Sequence, residues 1–309
     1  MKEKEFINII KNTLNSEYIG DDCAFLKDLG IVITQDSLIE NIHFKMDYTT
    51  PYKLGYKSVM VNISDVCASG AEPKYLTISL SLPKYIDNDF VEEFYKGAKD
   101  AANEVEIVGG DITGSQNKIF ISVTAIGSAK NRKISSRAYA RPGYKIIVSG
   151  NHGSSAAGLK LLLQEKNTPE ILINSHLLPE AQKDFSKQIS TQVKDDYAMI
   201  DTSDGLMDAL SQIANSSKVV LSVDFEKIPY DKNIHIFDNW ENLILFGGED
   251  YQLIAAVPEN SLKNIHGYTI IGEVEKAQNN FGVKINYKNK SEFYTLSQVE
   301  EKLYNHFKE

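Results

Sequence analysis

The feature that most limits how this chain can fold is a short acidic motif that recurs six times where an apolar run ends. Each motif places one or two carboxylates beside small or hydroxyl-bearing residues. The six motifs occupy residues 20–24, 34–37, 62–65, 109–113, 201–205 and 247–251. Asp and Gly are common in turns and helix caps, so any one motif alone is more typical of a turn. Their recurrence is much harder to explain by turn chemistry and indicates a ligand site.

Between these motifs, short strand-like runs alternate with helical runs, which predicts an α/β or α+β fold. Strands are predicted at residues 30–36, 74–82, 118–127, 145–149, 197–201, 219–224, 251–257 and 268–273, with a shorter apolar run at 105–108. Helices are predicted at residues 3–15, from Thr50 and Pro51 to about Ser69, at 89–103, from Ser155 and from Asp204. The turn at residues 141–143 (Arg-Pro-Gly) predicts a boundary between domains of residues 1–140 and 141–309.

Composition limits the classes of partner. The 309 residues suit two domains or one large α/β domain. Lys and Arg total 33 against 42 for Asp and Glu, so the net charge of -9 favours neither nucleic acid nor a membrane surface as a partner. No run approaches the roughly 20 apolar residues of a membrane span. The charged start of the chain does not resemble a secretory signal, and Cys23 and Cys67 form no disulfide framework, so we expect a cytoplasmic protein.

The carboxylates lie beside glycine-rich main chain that a ligand can approach closely, and this arrangement indicates metal binding. Such oxygens are the ligands that Mg²⁺ or Ca²⁺ prefers, and Mg²⁺ commonly bridges them to substrate phosphates. Scattered Asp residues around glycine-rich segments therefore predict metal-assisted phosphoryl transfer. No His/Cys cluster with ligand spacing favours zinc, and neither a Walker A loop nor a Rossmann fingerprint is present.

The order of the motifs resembles one family. The segments that carry this resemblance are residues 20–24, Asp36 with 41–44, 61–65 with 68–73, 109–111, 155–159, 200–206 and 247–251. They span nearly the whole chain, and the pair at 200–206 and 247–251 is the most specific. The chain resembles the thiamine-monophosphate kinases, within the ATP-binding superfamily that includes aminoimidazole ribonucleotide synthetase, selenophosphate synthetase and a hydrogenase-maturation enzyme.

The resemblance implies a fold and a reaction. The expected fold has two domains with mixed sheets flanked by helices: an N-terminal domain for ATP, Mg²⁺ and dimerisation, and a C-terminal domain that completes the substrate site. N-terminal domains of a homodimer would pair into a shared β-barrel. The implied reaction transfers a phosphoryl group in line from ATP to thiamine monophosphate with the help of several Mg²⁺ ions.

The resemblance also assigns roles to single residues. It implies metal ligands at Asp22, Thr34, Gln35, Asp36, Asp65, Asp111, Asp201 and Asp204, of which Asp36, Asp65 and Asp111 would be catalytic. It implies ATP contacts at Gly110, Asp111, Arg137 and Ser203, with Tyr95 as a weaker candidate. It implies thiamine-phosphate contacts at His43, Glu249 and Tyr304.

Structural alternatives stand beside several of these roles. Asp204 could cap a helix, Arg137 could be a surface residue, His43 a partly buried structural histidine, and Tyr304 a core aromatic of a C-terminal helix.

The chain departs from the family pattern at two positions. Gln35 stands where the family commonly has Thr, so its main-chain carbonyl is the alternative metal ligand. His152 stands where a less polar residue is expected, and a surface position is predicted for it.

Two rival functions remain. One is another ATP-dependent synthetase of the superfamily, and the other is a non-catalytic module that binds Mg-nucleotide.

Overall fold

The computed structural model describes the main chain of residues 2–304 and the side chains of residues 5–304. The helices are α1 (Lys2–Leu14), α2 (Pro51–Ala68), α3 (Asn88–Ala102), α4 (Ser154–Leu163), α5 (Glu170–Leu177), α6 (Lys183–Gln192), α7 (Leu206–Ser217), α8 (Trp240–Phe246) and α9 (Leu296–Glu300). The strands are β1 (Ala24–Leu26), β2 (Ile31–Ile39), β3 (Glu72–Pro83), β4 (Glu106–Ser115), β5 (Phe120–Ser128), β6 (Lys145–Val148), β7 (Ala198–Asp201), β8 (Val220–Asp224), β9 (Leu253–Val257), β10 (Thr269–Glu275), β11 (Gly282–Asn286) and β12 (Ser291–Tyr294).

The strands form two mixed sheets. A five-stranded sheet has the order β1-β2-β5-β3-β4, with β3 and β4 parallel and the other pairs antiparallel. A seven-stranded sheet has the order β12-β11-β8-β10-β6-β9-β7, in which β8 and β11 are the parallel pair. The expected fold class, mixed sheets flanked by helices, is confirmed.

The two sheets fall on either side of the segment where a domain boundary is predicted, and their cores are separate only in part. A core cluster that includes Ile146, Leu210 and Val283 has all its buried members within residues 140–299. The first sheet ends at Ser128 and the second begins at Lys145. One core cluster nevertheless joins Ile63 of α2 to Met199 of β7 and Ala255 of β9. The division into residues 1–140 and 141–309 therefore stays a prediction.

Helix α2 lies between the two sheets and is buried over most of its length. Its start follows from the sequence, because Thr50 Oγ1 accepts a hydrogen bond from Lys53 N at 3.2 Å and Pro51 occupies the first turn. It crosses α3 at van der Waals contact of the main chains. A Cβ atom on Gly55 would lie 1.9 Å from Phe94 O, and one on Gly97 would lie 1.8 Å from Tyr52 O, so only glycine fits at either position.

The prediction from the sequence omitted several helices and strands and gave different bounds for others. Strand β4 runs straight through the Gly-Gly-Asp motif, where the sequence predicted only a short apolar run at 105–108. The helix predicted from Asp204 begins at Leu206 and has Gly205 as its N-cap, so the capping alternative for Asp204 is wrong. Elements without a prediction are β1, α5, α6, α8, β11 and β12.

Two expectations for single residues are also corrected. His152 is fully buried rather than at the surface. Helix α9 ends at Glu300, and Tyr304 beyond it is 74% exposed, so it is not a core aromatic. Phe307, which the same C-terminal helix was predicted to include, lies outside the described residues.

Among residues 2–304, none of the helices combines the length and apolar character needed to cross a membrane.

Candidate active site

Three aspartates from distant parts of the chain converge beside the end of α2. Asp22 lies in the loop before β1, Asp65 in the last turn of α2, and Asp201 at the end of β7. Each offers a carboxylate oxygen, and these oxygens lie within 4.8 Å of one another. We call Asp22, Asp65 and Asp201 the carboxylate cluster. Three hard oxygen donors at this spacing fit a divalent cation such as Mg²⁺.

Hydroxyl groups fix the orientation of the cluster. Thr34 Oγ1 donates to Asp65 Oδ2 at 2.6 Å. Ser64 Oγ donates to Asp201 Oδ2 at 2.6 Å, and Ser203 Oγ donates to Asp201 Oδ1 at 2.9 Å. Because both oxygens of Asp201 accept hydrogen bonds, its carboxylate is held in one orientation.

Burial and mutual repulsion disfavour the ionised form of these carboxyl groups and raise their pKa values. Burial, reinforced by the charge of Asp201 and opposed by Arg137, raises the pKa of Asp22 to about 6. Burial and then the charge of Asp36 raise the pKa of Asp65 well above its ordinary value. Burial and the charge of Asp22 also raise the pKa of Asp36, which follows Thr34 on β2 by two residues and points to the same side of the sheet. A bound cation would reverse these shifts, because it favours the ionised forms.

Arg137 closes one side of the cluster. Its guanidinium donates to Asp22 Oδ1 at 2.7 Å and also to Gln212 Oε1, and its side chain is only 16% exposed. The surface alternative for Arg137 is therefore wrong. A groove of about 820 Å³ adjoins Asp22 on this side. The groove is lined by side chains of both charges: three are basic (Lys27, Arg132 and Lys133) and five are acidic (Glu17, Asp21, Asp22, Asp28 and Asp196).

Gln35 and Asp111 lie on the opposite face of the first sheet from the carboxylate cluster. Strand alternation turns Thr34 inward and Gln35 outward, where Gln35 Oε1 accepts a hydrogen bond from Thr124 Oγ1 at 3.1 Å. Asp111 pairs with Ser79 across β3 and β4 and shares with Gln35 a depression of about 460 Å³. The structure thus brings Gln35 and Asp111 together, but not with Asp22, Asp65 and Asp201.

A second polar cluster surrounds Glu249, on the loop before β9. Its Oε1 lies 3.1 Å from Lys57 Nζ, and its Oε2 lies 3.3 Å from His176 Nδ1. Burial alone would raise the pKa of Glu249, but the charge of Lys57, followed by His176 and His43, outweighs it and lowers that pKa. Burial lowers the pKa of His176 itself to about 3, so near neutral pH its ring is uncharged and Lys57 is the main cause. His43 and Glu249, both expected on the substrate side, are therefore close enough to interact. His43 is half-buried, and its Nδ1 accepts a hydrogen bond from Ile39 N at 2.9 Å.

The glycine- and serine-rich turn before α4 already holds an anion of the chain itself. Asp250 Oδ2 accepts from Gly153 N at 2.5 Å, and Oδ1 accepts from Ser155 N at 2.9 Å. The start of α4 therefore binds a buried side-chain carboxylate, as helix N-termini commonly bind anions.

The remaining sequence-predicted residues occupy varied positions. Gly110 sits in β4 so close to β3 that a Cβ would lie 1.8 Å from Ile78 O, so only glycine fits there. Ser203 contacts Asp201, whereas Asp204 is exposed. Tyr95 lies on α3 with its ring 5.6 Å from that of Phe94, and Tyr304 is mostly exposed.

Sequence reasoning missed the two partners of Glu249. Lys57 is 3% and His176 2% exposed, although both types are common on helix surfaces. A signal for Lys57 exists: it lies on α2 among apolar residues such as Leu54 and Val61, where a surface lysine is unexpected. His176 has no comparable signal, because α5 itself was not predicted.

The chain is similar to known proteins over most of its length. Residues 20–129 match the family model of AIR synthase related protein, N-terminal domain. The thiamine-monophosphate kinase of Aquifex aeolicus (strain VF5) is 38% identical over 288 residues, covering 89% of this chain and 92% of that protein. The Bacillus subtilis (strain 168) enzyme is 32% identical over 311 aligned residues, covering 94% and 93%. The solved structure of AaThiL complexed with AMPPCP and TMP has a TM-score of 0.85 and 37% identity, covering 92% of this chain and 94% of that one.

Proposed function

The chain belongs to the thiamine-monophosphate kinase family, and from that premise we propose that it transfers the γ-phosphoryl group of ATP to thiamine monophosphate, giving thiamine diphosphate and ADP. The single observation that carries the proposal is the carboxylate cluster, because it offers the oxygen ligands that phosphoryl transfer requires. The AaThiL structure with AMPPCP and TMP supports the same pair of substrates.

The cluster fits Mg²⁺. Asp22, Asp65 and Asp201, with Asp36 beside them, would hold the ion, and their pKa values are raised by burial first and by neighbouring carboxylates second. When bound, Mg²⁺ neutralises charge on the phosphates and orients them. Thr34 and Ser203 preorganise the carboxylates through hydrogen bonds. Gln35, Asp111 and Asp204 remain proposed ligands outside the cluster.

The chain's own residues would do the rest by positioning rather than by proton transfer. The acceptor phosphate is largely ionised near neutral pH, so no general base is needed. Arg137 lies at the edge of the cluster and matches phosphate geometry. Gly110 and Ser203, with Tyr95 as the weaker candidate, are the other proposed ATP contacts.

The ring end of thiamine monophosphate is proposed to lie against Glu249. An ionised carboxylate suits a cationic thiazolium, and the lowered pKa keeps Glu249 ionised. His43 lies close to Glu249, and Tyr304 is the third proposed contact. The cytoplasmic location remains a prediction that rests on the two buried free thiols.

The reaction itself is tested by coupled ADP release with ATP, Mg²⁺ and thiamine monophosphate. We expect ADP release to require both Mg²⁺ and thiamine monophosphate, with thiamine diphosphate as the product. Thiamine without its phosphate and a reaction with excess chelator are the matched controls. Binding of Mg-ATP without turnover would instead favour a regulatory module, and turnover on an aminoimidazole-pathway substrate would favour a sister synthetase.

A homodimer is also proposed, through the outer face and free edge of the first sheet. Strand β4 is an edge strand of ten residues and is exposed along nearly all of it. Val108 and Ile112 on β4 are 56% and 62% exposed, and Tyr75 on β3 is 44% exposed. A long exposed edge with apolar side chains favours pairing with another chain. This supports the barrel-forming dimer that the family implies.

The dimer is tested by sedimentation at micromolar concentration. We expect the wild type to sediment as a dimer and Ile112→Lys to shift it toward monomer, because a charge would enter the paired edge. Ile171→Lys is the control, since Ile171 is 55% exposed on α5, away from the sheet. A monomeric wild type would contradict the proposal, as would equal effects of the two substitutions.

A further inference from the structure

A buried lysine reaches the substrate side of the site from the middle of α2. We propose that Lys57 is a positioning residue, which fixes the Glu249 carboxylate so that it can receive the ring system of thiamine monophosphate. This inference rests on the proposed function. It adds a residue that none of the sequence motifs contains, and it assigns that residue a defined effect on one substrate.

The contacts around Glu249 carry the inference. Lys57 Nζ lies 3.1 Å from Oε1, and the lysine side chain is 4% exposed. His176 Nδ1 lies 3.3 Å from Oε2, and Ser155 Oγ lies 3.1 Å from the same ring nitrogen. Each carboxylate oxygen therefore has one partner from the protein. Since each oxygen can accept two hydrogen bonds, the remaining positions can accept from the amino group on the pyrimidine ring of thiamine monophosphate.

Stabilisation of the fold does not explain why the chain has the Lys57–Glu249 ion pair. A buried ion pair is often no more stabilising than apolar side chains of similar volume, because both charges lose their hydration. Within the described residues, Lys57 Nζ forms this ion pair but makes no hydrogen bond of good geometry with any group. The contact of Lys57 Nζ that remains to explain its position is therefore the ion pair with Glu249.

The main-chain conformation at Glu249 also supports a functional role for this residue. Glu249 has a φ of 65° and Tyr251 a φ of 50°, in the left-handed region that non-glycine residues rarely adopt. Glu249 N donates to Ser203 O at 2.7 Å, so the loop is tied to the residue beside Asp201. Unusual main-chain conformations persist where the surroundings hold them, and they cluster at functional sites.

Helix geometry links Lys57 to the carboxylate cluster. Ser64, which donates to Asp201, lies seven residues after Lys57. Seven residues make nearly two turns, so both side chains leave the same side of α2, about 10 Å apart along its axis. A rigid helix thus sets the spacing between the ring end of the site and the metal end.

The test measures both substrates separately. We expect Lys57→Met to raise the KM for thiamine monophosphate about tenfold or more, the equivalent of at least about 1.4 kcal/mol, with the KM for ATP within about twofold of wild type. Lys57→Arg should restore most of the affinity, because it keeps the charge. Lys53→Met is the matched control: it removes a lysine one turn earlier on the same helix and should change neither KM.

A double substitution separates positioning from a direct contact or a folding defect. If Lys57 acts through Glu249, Lys57→Met combined with Glu249→Gln should bind thiamine monophosphate no more weakly than Glu249→Gln alone. The double variant also leaves no carboxylate at residue 249 without its lysine, so it remains informative if Lys57→Met alone unfolds. Thermal unfolding of each variant checks the fold.

Three outcomes would overturn the inference. Unchanged KM values in Lys57→Met would show that Glu249 needs no lysine. Additive losses in the double variant would show that Lys57 does not act through Glu249. Wild-type protein that does not turn over thiamine monophosphate would refute the proposed function and this inference with it, whereas an active wild type with an unaffected Lys57→Met would refute this inference alone.

Discussion

Asp65→Asn is expected to lower kcat by about a thousandfold or more, since it removes a charged ligand whose ion stabilises several kcal/mol of transition-state charge. The same substitution should make the chelator-treated protein more stable. Asp65 is half-buried beside Asp22, Asp36 and Asp201, and desolvation followed by the charge of Asp36 raises its pKa well above the ordinary value. Its ionisation therefore opposes folding, and Asn removes that opposition while still accepting from Thr34 Oγ1.

The pH dependence of this stability gain has a definite sign. A carboxyl whose folded pKa is raised loses stability as pH rises through that pKa. The melting temperature of Asp65→Asn in chelator should thus exceed that of the wild type more at pH 8 than at pH 5. Added Mg²⁺ should raise the melting temperature of the wild type more than that of the variant.

Turnover and melting temperature in chelator and in Mg²⁺ provide the measurement. Asp238→Asn removes an exposed aspartate outside the site and should behave as wild type in both. Near-normal turnover by Asp65→Asn, or a lower melting temperature in chelator, would refute the role given to the cluster. Asp36→Asn should follow Asp65→Asn in turnover.

His152→Leu is expected to protect the protein against acid. The ring of His152 is fully buried, and neither ring nitrogen has a hydrogen-bond partner within the described residues. Burial lowers the pKa of His152 to about 3, against an ordinary value of 6.5. The folded chain keeps the ring neutral while the unfolded chain binds a proton below pH 6.5. Stability is therefore full above that pH and falls between pH 6.5 and 3 by about 1.4 kcal/mol per pH unit.

Comparing the variant with the wild type isolates this contribution from the carboxylates. Burial raises the pKa of Asp250 to about 7, so its protonation works in the opposite direction in both proteins. The free energy of unfolding of His152→Leu relative to wild type should rise by about 2 kcal/mol between pH 7.5 and pH 5. Urea unfolding at the two pH values measures it. His266→Leu, at an exposed site, should show no such change, and an equal response of both variants would rule out the buried imidazole as the cause.

The helices and strands that could be predicted are those specified by residues within or next to the element itself. Alternating apolar residues identified β3 and β5, and Thr50 with Pro51 identified the start of α2. Strand β4 was missed because its residues Gly109, Gly110 and Asp111 break the apolar pattern; the strand is specified by its pairing with β3. Tertiary contact there overrides the weak propensity of glycine for strands.

Some residues of the site could also be predicted from the sequence, and others could not. The residue types and motif order indicated Asp22, Asp65 and Asp201, but their convergence depends on how α2 lies between two sheets. Local sequence could not show that Gln35 and Asp111 face away from them, because it does not determine which side of the sheet is covered. It also missed Lys57, whose ion-pair partner Glu249 is distant in the chain. His152 was misplaced because its burial depends on the packing around it.

The burial of α2 has a consequence for how the protein loses its ligands. Helices packed on all sides open only with the cooperative unfolding of the whole structure, whereas exposed elements fray on their own. Lys57, Ser64 and Asp65 all stand on α2, so the groups at the ring end and at the metal end share one local stability. The groups that α2 itself contributes to the two substrates are therefore expected to be lost together. The capacity to bind and the native fold are then expected to disappear in a single step.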